Sequence, residues 1–162
     1  MRDLLEALEQ RPFGRIGRVT HLVVSPRPGD HRLVEALELL PGVGPVGEYA
    51  AKQFWKGRRV PGREVSAVNA EFLELLGIAP EVPGDNLIVQ GIRLCGLSPG
   101  TLLRAGVVRL RRTATPHRPC ALFRSRTGEL AFELALLGWR GALFEVLDRG
   151  VVRVGDPVEV LE

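Results

Sequence analysis

Residues 142–161 read ALFEVLDRGVVRVGDPVEVL and decide the fold class, because three short apolar segments alternate here with two tight turns. Turn-forming residues occupy 148–150 and 155–157, where Gly, Asp and Pro favour a change of chain direction. The segments between them are rich in β-branched residues, which favour strands. This end of the chain is therefore predicted to form short strands joined by tight turns.

Strand-like segments separated by turn residues recur upstream. They lie at 15–25, 64–68, 86–90, 107–113 and 120–123. Segments 33–40 and 129–137 fit either a strand or a helix, whereas the apolar spacing in 2–10 and 69–76 predicts helices. Many short strands at a spacing of roughly 8–12 residues are typical of a barrel or a sandwich. We therefore predict a mainly β protein with a few helices packed around the strands.

The composition is that of one globular domain, with 162 residues, 45% hydrophobic and 25% charged. No apolar run approaches the roughly 18 residues that a membrane span needs, and the first residues do not resemble a signal peptide. We therefore expect a cytoplasmic protein without membrane contact. The two cysteines, Cys95 and Cys120, are too few for a secreted disulfide framework and are expected to stay thiols.

The cations of this chain are nearly all Arg, and the formal net charge is +3. Because guanidinium groups form bidentate contacts with phosphate and carboxylate, an anionic small molecule is the expected ligand. Acidic residues are interspersed along the chain, so nucleic acid is not an expected partner. The densest cationic run, residues 52–63, contains Phe54 and Trp55 and fits either an anion-binding loop or a solvated surface arm.

The candidate reactive residue is Cys120, which lies in the cationic stretch 111–124. A cysteine reacts as its thiolate, and nearby positive charge stabilises that form. Arg118, Arg124 and a protonated His117 are therefore predicted to activate Cys120. The residues alone allow a second interpretation, because free cysteines are often small buried core residues.

Taken in order, these features resemble the MOSC domain, a β-barrel module named for the C-terminal region of molybdenum cofactor sulfurases. The resemblance covers most of the chain. It rests on Val24-Ser25-Pro26, the Gly47 region, Glu64-Val65-Ser66, Gly84-Asp85-Asn86-Leu87 with Gly91, Pro119-Cys120, Arg140-Gly141 and Val154-Gly155-Asp156-Pro157-Val158. Because Arg140 stands beside Gly141 and Asp156 follows Gly155, both are expected to be structural turn residues.

The resemblance implies a single MOSC-like domain over 1–162, with an N-terminal helix in 1–12 and a β-barrel of short mixed strands with inserted helices over 15–162. It also implies that Cys120 either carries sulfur as a persulfide or ligates the molybdenum of a molybdopterin cofactor. The partner would be a pyridoxal phosphate-dependent cysteine desulfurase or a molybdoenzyme, and the activity that of a sulfurtransferase or a molybdenum-dependent oxidoreductase. The cofactor-binding positions would be Ser66, Asn86, Arg118, Lys56 and Arg63.

The chain departs from the family after Gly47. Many members have an Asp and a His-Gly or His-Ala pair there, whereas this chain has Glu48-Tyr49-Ala50-Ala51. The missing histidine favours a carrier or binding role over full redox catalysis. The alternative is a non-catalytic binding module, whose cationic runs 52–63 and 109–126 would hold an anionic metabolite, a partner or nucleic acid.

Overall fold

Short strands and short helices make up the computed structural model, which describes residues 1–161. The α-helices are α1 (Arg2–Glu9), α2 (Ala70–Leu76), α3 (Ala121–Thr127) and α4 (Glu129–Leu134). The strands are β1 (Ile16–Arg27), β2 (Asp30–Val34), β3 (Ala36–Leu40), β4 (Gly44–Pro45), β5 (Phe54–Trp55), β6 (Arg58–Arg59), β7 (Val65–Asn69), β8 (Leu87–Gln90), β9 (Leu102–Ala105), β10 (Val108–Arg112), β11 (Ala142–Val146), β12 (Gly150–Arg153) and β13 (Pro157–Val160). None of the helices formed by these residues is long and apolar enough to cross a membrane.

Seven strands close into a barrel in the order β13-β9-β10-β11-β7-β8-β1, and the pairing of β13 with β1 completes the ring. Strands β7 and β8 run parallel and the other neighbours run antiparallel, so the barrel is mixed. Strand β2 pairs with β1 beside the ring, and β12, β3 and β4 form a second sheet. The prediction of a mainly β barrel is confirmed, and the sandwich alternative is wrong.

Alternation along the barrel strands divides the apolar side chains between the barrel interior and an outer helical layer. On β8, Leu87 and Val89 belong to the interior cluster. Ile88, between them, packs outside the barrel in a cluster that contains Phe72 and Trp139. Each of these large side chains is almost fully buried, and such burial stabilises a fold by roughly 1.5–3 kcal/mol. The outer cluster therefore holds the helices, including α3, against one face of the barrel.

The structure shows which element forms in the two segments that fitted either a strand or a helix. Residues 33–40 contain strand β3, because β3 pairs with β12 and buries Leu37 and Leu39 alternately. Residues 129–137 are helical and pass from α4 into a π-helical turn, Ala135–Trp139. The strand predicted at 120–123 is wrong, because Cys120 is the N-cap of α3 and the next three residues form its first turn. Only Phe123 of α3 is buried, which suits one face of a helix better than alternation on a strand.

Candidate functional site at Cys120

Cys120 lies at the junction of a connecting loop and a helix. The loop leaves β10 after Arg112 and ends at Cys120, the N-cap residue of α3, whose carbonyl accepts a hydrogen bond from the Arg124 amide at 3.0 Å. The Cys120 side chain is exposed, whereas Cys95 is partly buried. The interpretation of Cys120 as a buried core residue is therefore wrong, and its thiol is accessible to a reaction partner.

A buried polar cluster anchors the chain on both sides of Cys120. Asp85 is fully buried, and its carboxylate accepts a hydrogen bond from His117 Nε2 at 2.7 Å and pairs with the Arg140 guanidinium. The same guanidinium lies over the Phe123 ring, 4.6 Å from its centre. His117 precedes Cys120 by three residues and Phe123 follows it by three. Asp85 and Arg140 therefore fix the position of the loop that presents the thiol, and Arg140 is more than a turn residue.

The charges in this cluster differ from those expected. Burial would raise the pKa of Asp85, but the positive charge of Arg140 and the hydrogen bond from His117 hold it well below its usual range. Burial, reinforced by the charge of Arg140, lowers the pKa of His117 to about 4. His117 is therefore a neutral donor to Asp85 at pH 7, and the expectation of a protonated His117 beside Cys120 is wrong.

Of the two arginines expected to activate the thiol, Arg124 forms an ion pair, whereas Arg118 forms none with the described residues. Arg124 donates to Glu129 at 2.6 Å and lies over the Phe132 ring. Arg118 is exposed and makes no hydrogen bond or ion pair with any residue in 1–161. Its charge is therefore available to hold an anionic ligand.

The lowered pKa of His117 gives a pH-dependent stability. An ordinary histidine has a pKa of 6.5, so the unfolded chain binds a proton that folded His117 excludes between about pH 6.5 and pH 4. Stability should therefore fall as the pH falls through this window, by about 3 kcal/mol from His117. His117→Gln, which can still donate to Asp85, should show a flatter decline in urea unfolding measured across this window.

His31 also contributes to the loss of stability at low pH, because burial and the charge of Arg126 lower its pKa. The contribution of His117 is therefore the difference between the wild-type protein and His117→Gln in the slope of unfolding free energy against pH, since both proteins contain His31. Equal slopes would show that His117 titrates normally in the folded protein.

Three of the five expected cofactor-binding residues line one cavity of about 60 Å³, namely Ser66, Asn86 and Arg63. His117 and Arg140 line the same cavity, so it adjoins the buried cluster beneath Cys120. The other two residues lie elsewhere. Arg118 lines a second, larger cavity, and Lys56 lies in the turn of the exposed β5–β6 hairpin.

Glu48 and Lys52 also line the small cavity, and their pairing with each other was not predicted from the sequence. The Glu48 carboxylate accepts hydrogen bonds from Asn86 Nδ2 at 3.0 and 2.9 Å and from the Ser25 amide at 2.9 Å, and it pairs with Lys52 at 2.8 Å. Lys52 also donates to the Gly84 carbonyl at 2.6 Å. Their spacing of four residues is a signal that could have identified the pair, because it is typical of ion pairs on one helical turn.

This cavity does not fit molybdopterin. Its volume is about 60 Å³, whereas sites for ligands of that size usually enclose roughly 300–1,000 Å³. The amide of Asn86 and the ammonium of Lys52 are already bound to Glu48, whose negative charge would repel a phosphate. Residues 1–161 also contain no group of three or more His, Cys, Asp or Glu side chains placed to hold a metal ion. The cofactor roles assigned to Ser66, Asn86, Arg63, Lys56 and Arg118 stay predictions.

Comparisons with known proteins agree with this architecture. The family model described as the MOSC domain matches residues 59–159. The YuaD protein of Bacillus subtilis is 22% identical with a TM-score of 0.71, and the match covers 90% of this chain and 95% of that one. YiiM from Escherichia coli is 22% identical (TM-score 0.63, coverage 90% and 70%), and YiiM from Geobacillus stearothermophilus is 17% identical (TM-score 0.67, coverage 90% and 75%). At these identities the three structures show a shared fold, and no curated protein matches the chain.

Proposed function

Because the chain belongs to the MOSC domain family, as the match over residues 59–159 shows, we propose that Cys120 accepts sulfur and carries it as a persulfide. The observation that supports this role is an exposed thiol on a loop that a buried polar cluster holds in place. Asp85 and Arg140 hold His117 on one side of Cys120 and Phe123 on the other. A carrier needs such a thiol, because its sulfur must be reached first by a donor and then by an acceptor.

The transfer requires a persulfide donor, for which a cysteine desulfurase is the proposed partner. The Cys120 thiolate attacks the terminal sulfur of the donor persulfide. A sulfur–sulfur bond forms at Cys120, the sulfur–sulfur bond of the donor breaks, and the donor cysteine leaves as a thiolate. No external oxidant or reductant is needed, because one persulfide is exchanged for another.

The surroundings of Cys120 favour this reaction in two ways. Arg118, two residues from Cys120 in the chain, is exposed, so its positive charge favours the approach of an anionic persulfide donor. The exposure of Cys120 also allows a protein donor to approach, which the partly buried Cys95 allows less well. Sulfur carriage therefore suits the site better than ligation of molybdenum, since the cavity at Ser66 and Asn86 does not fit the pterin.

Sulfur loading should occur at Cys120 and nowhere else in the chain. The protein would be incubated with a cysteine desulfurase, pyridoxal phosphate and cysteine, and its peptides analysed by mass spectrometry. We expect the Cys120 peptide to gain the mass of one sulfur atom and to lose it on reduction. Cys120→Ser should abolish the gain, and Cys95→Ser should leave it unchanged.

Two results would contradict the proposal. One is the absence of added sulfur under conditions in which the desulfurase loads a known acceptor. The other is loading at Cys95 in the Cys120→Ser protein at the wild-type rate, which would show unspecific transfer. Metal and pterin analysis of the freshly purified protein belongs in the same experiment, because stoichiometric molybdenum would favour the ligand role of Cys120 instead.

A further inference from the structure

One arginine on the barrel differs from its neighbours. Along β10, Arg109 and Arg111 point outward and are neutralised across the sheet by Asp148 at 2.8 Å and Glu145 at 2.7 Å. Arg112 ends the strand, and no carboxylate in residues 1–161 lies within ion-pair distance of it. The alternation of β10 places Arg112 on the same side as the buried Val108 and Leu110. A positive charge is therefore turned towards the end of the barrel without a counter-charge from the described chain.

The hydrogen-bonding groups of Arg112 are only partly used. One terminal nitrogen donates to the Thr113 carbonyl, whereas Nε is shielded from solvent and has no hydrogen-bond partner in the described part of the chain. Burial lowers the pKa of Arg112 from its ordinary value. An unpartnered buried donor is costly, so a ligand that accepted a hydrogen bond from Nε would gain affinity from this group.

Arg112 opens into a cavity of about 320 Å³, which is distinct from the small cavity at Asn86. Arg118 is the second cation in its wall, and Cys95 and His117 also line it. The rest of the wall is formed by proline, alanine, leucine and glycine residues, and no Asp or Glu among residues 1–161 lines the cavity. The cavity thus combines two unpaired positive charges with an apolar surface.

We propose that this Arg112 cavity binds a small organic anion, namely a carboxylate or phosphate ester with a short apolar group. The guanidinium of Arg112 presents a planar set of donors that matches the two oxygens of such a group. Arg118 adds a second charge from the exposed side, and the side chain of Leu136 offers contact to the apolar part. The volume lies at the lower end of the range for small-molecule sites, which limits the ligand to about the size of a single ring.

The position of the cavity connects it with Cys120. Pro119 lines the cavity and directly precedes Cys120 in the chain. A bound anion would therefore lie next to the segment that carries the thiol. This connection rests on the proposed function, whereas the binding of the anion does not require Cys120 to react.

The test is a titration of the full-length protein with phenyl phosphate, with inorganic phosphate as the anion without an apolar group, followed by nuclear magnetic resonance and calorimetry. Phenyl phosphate should bind in one saturable step and more tightly than inorganic phosphate, and should shift the amide signals of Cys95 and Leu136. Arg112→Gln should weaken the binding of phenyl phosphate about tenfold or more, because a charge-assisted hydrogen bond is lost. Arg118→Gln should weaken it less.

Arg111→Gln is the matched control, because it removes the same charge one residue away on the outer face of the same strand. It should change the affinity less than twofold. Equal weakening by both variants, or no saturable binding to the wild-type protein, would overturn the proposal. If Arg112→Gln fails to fold, Arg118→Gln and the pattern of shifted amides decide the result.

A Cys120→Ser protein separates this inference from the proposed function. It should bind phenyl phosphate as the wild-type protein does, even though it cannot be loaded with sulfur. If the wild-type protein binds the anion but is not loaded with sulfur, the anion-binding inference stands and the carrier proposal fails. If it is loaded with sulfur but does not bind the anion, the carrier proposal stands and the anion-binding inference fails.

Discussion

Replacement of Asp85 by Ala is expected to lower the free energy of unfolding by about 3–5 kcal/mol, because it leaves the buried Arg140 without a counter-charge. Asp85 is 0% exposed and Arg140 is 7% exposed, so both charges are largely shielded from bulk solvent. His117 loses its acceptor in the same variant. Urea unfolding at neutral pH measures the effect, since the slope of the transition shows whether the cooperative unit is unchanged.

The control for this prediction is an ion pair of the same type on the surface. Glu159 pairs with Arg104 at 3.1 Å, but both side chains are nearly half exposed, so Glu159→Ala should cost less than about 1 kcal/mol. Asp85→Asn should lie between the two, because the amide oxygen can accept from only one of its former partners. A loss below about 1 kcal/mol for Asp85→Ala would show that Arg140 is solvated in the folded protein.

The same variant tests the connection between the buried cluster and the thiol. Without Asp85, His117 and Arg140 no longer anchor the residues on either side of Cys120, so the loop should sample more conformations. Hydrogen exchange of the backbone amides at 114–120 should then be faster than in the wild-type protein. Unchanged exchange there would mean that other contacts hold the loop.

The strands were the part of the fold most accessible to prediction from the sequence. On β10, Val108 and Leu110 alternate with Arg109 and Arg111, and this pattern has one physical cause, a strand with one buried and one solvated face. Helix α3 was not predictable in the same way. Its buried residue is Phe123 alone, and a short apolar run has no period from which to distinguish a helix from a strand.

The candidate site could be predicted from the sequence only where its residues are close together in the chain. Cys120 was selected by its place in the family order, whereas Arg140 was predicted to be a turn residue beside Gly141 and Asp85 was given no role of its own. Arg140 and Asp85 are 55 residues apart in the chain, and their side chains meet because β11 and β8, which begin just after them, both pair with β7. The engagement of Asn86 by Glu48 and the neutral state of His117 likewise depend on burial, which the sequence does not specify.

The position of Arg140 depends in turn on Gly141, and Gly141→Ala is expected to destabilise the protein by about 3–5 kcal/mol. Gly141 has φ +113°, a conformation that side chains disfavour. An added Cβ would also overlap the carbonyl oxygen of Ala67 and lie 2.9 Å from its carbonyl carbon. The next residue, Ala142, pairs with Ala67 in the barrel, so the backbone cannot retreat without breaking the β11–β7 pairing.

A series of three glycine variants separates the two causes. Gly57→Ala, at φ +77° with no atom of residues 1–161 within 4 Å of the new Cβ, should show the conformational cost alone, about 1–2 kcal/mol. Gly14→Ala, which has neither a positive φ nor a close neighbour, should change stability by less than about 0.5 kcal/mol. If the midpoint temperature of thermal unfolding were no lower for Gly141→Ala than for Gly57→Ala, the close approach to Ala67 would not constrain the barrel. Gly141 would then have no part in holding Arg140 beneath the Cys120 loop.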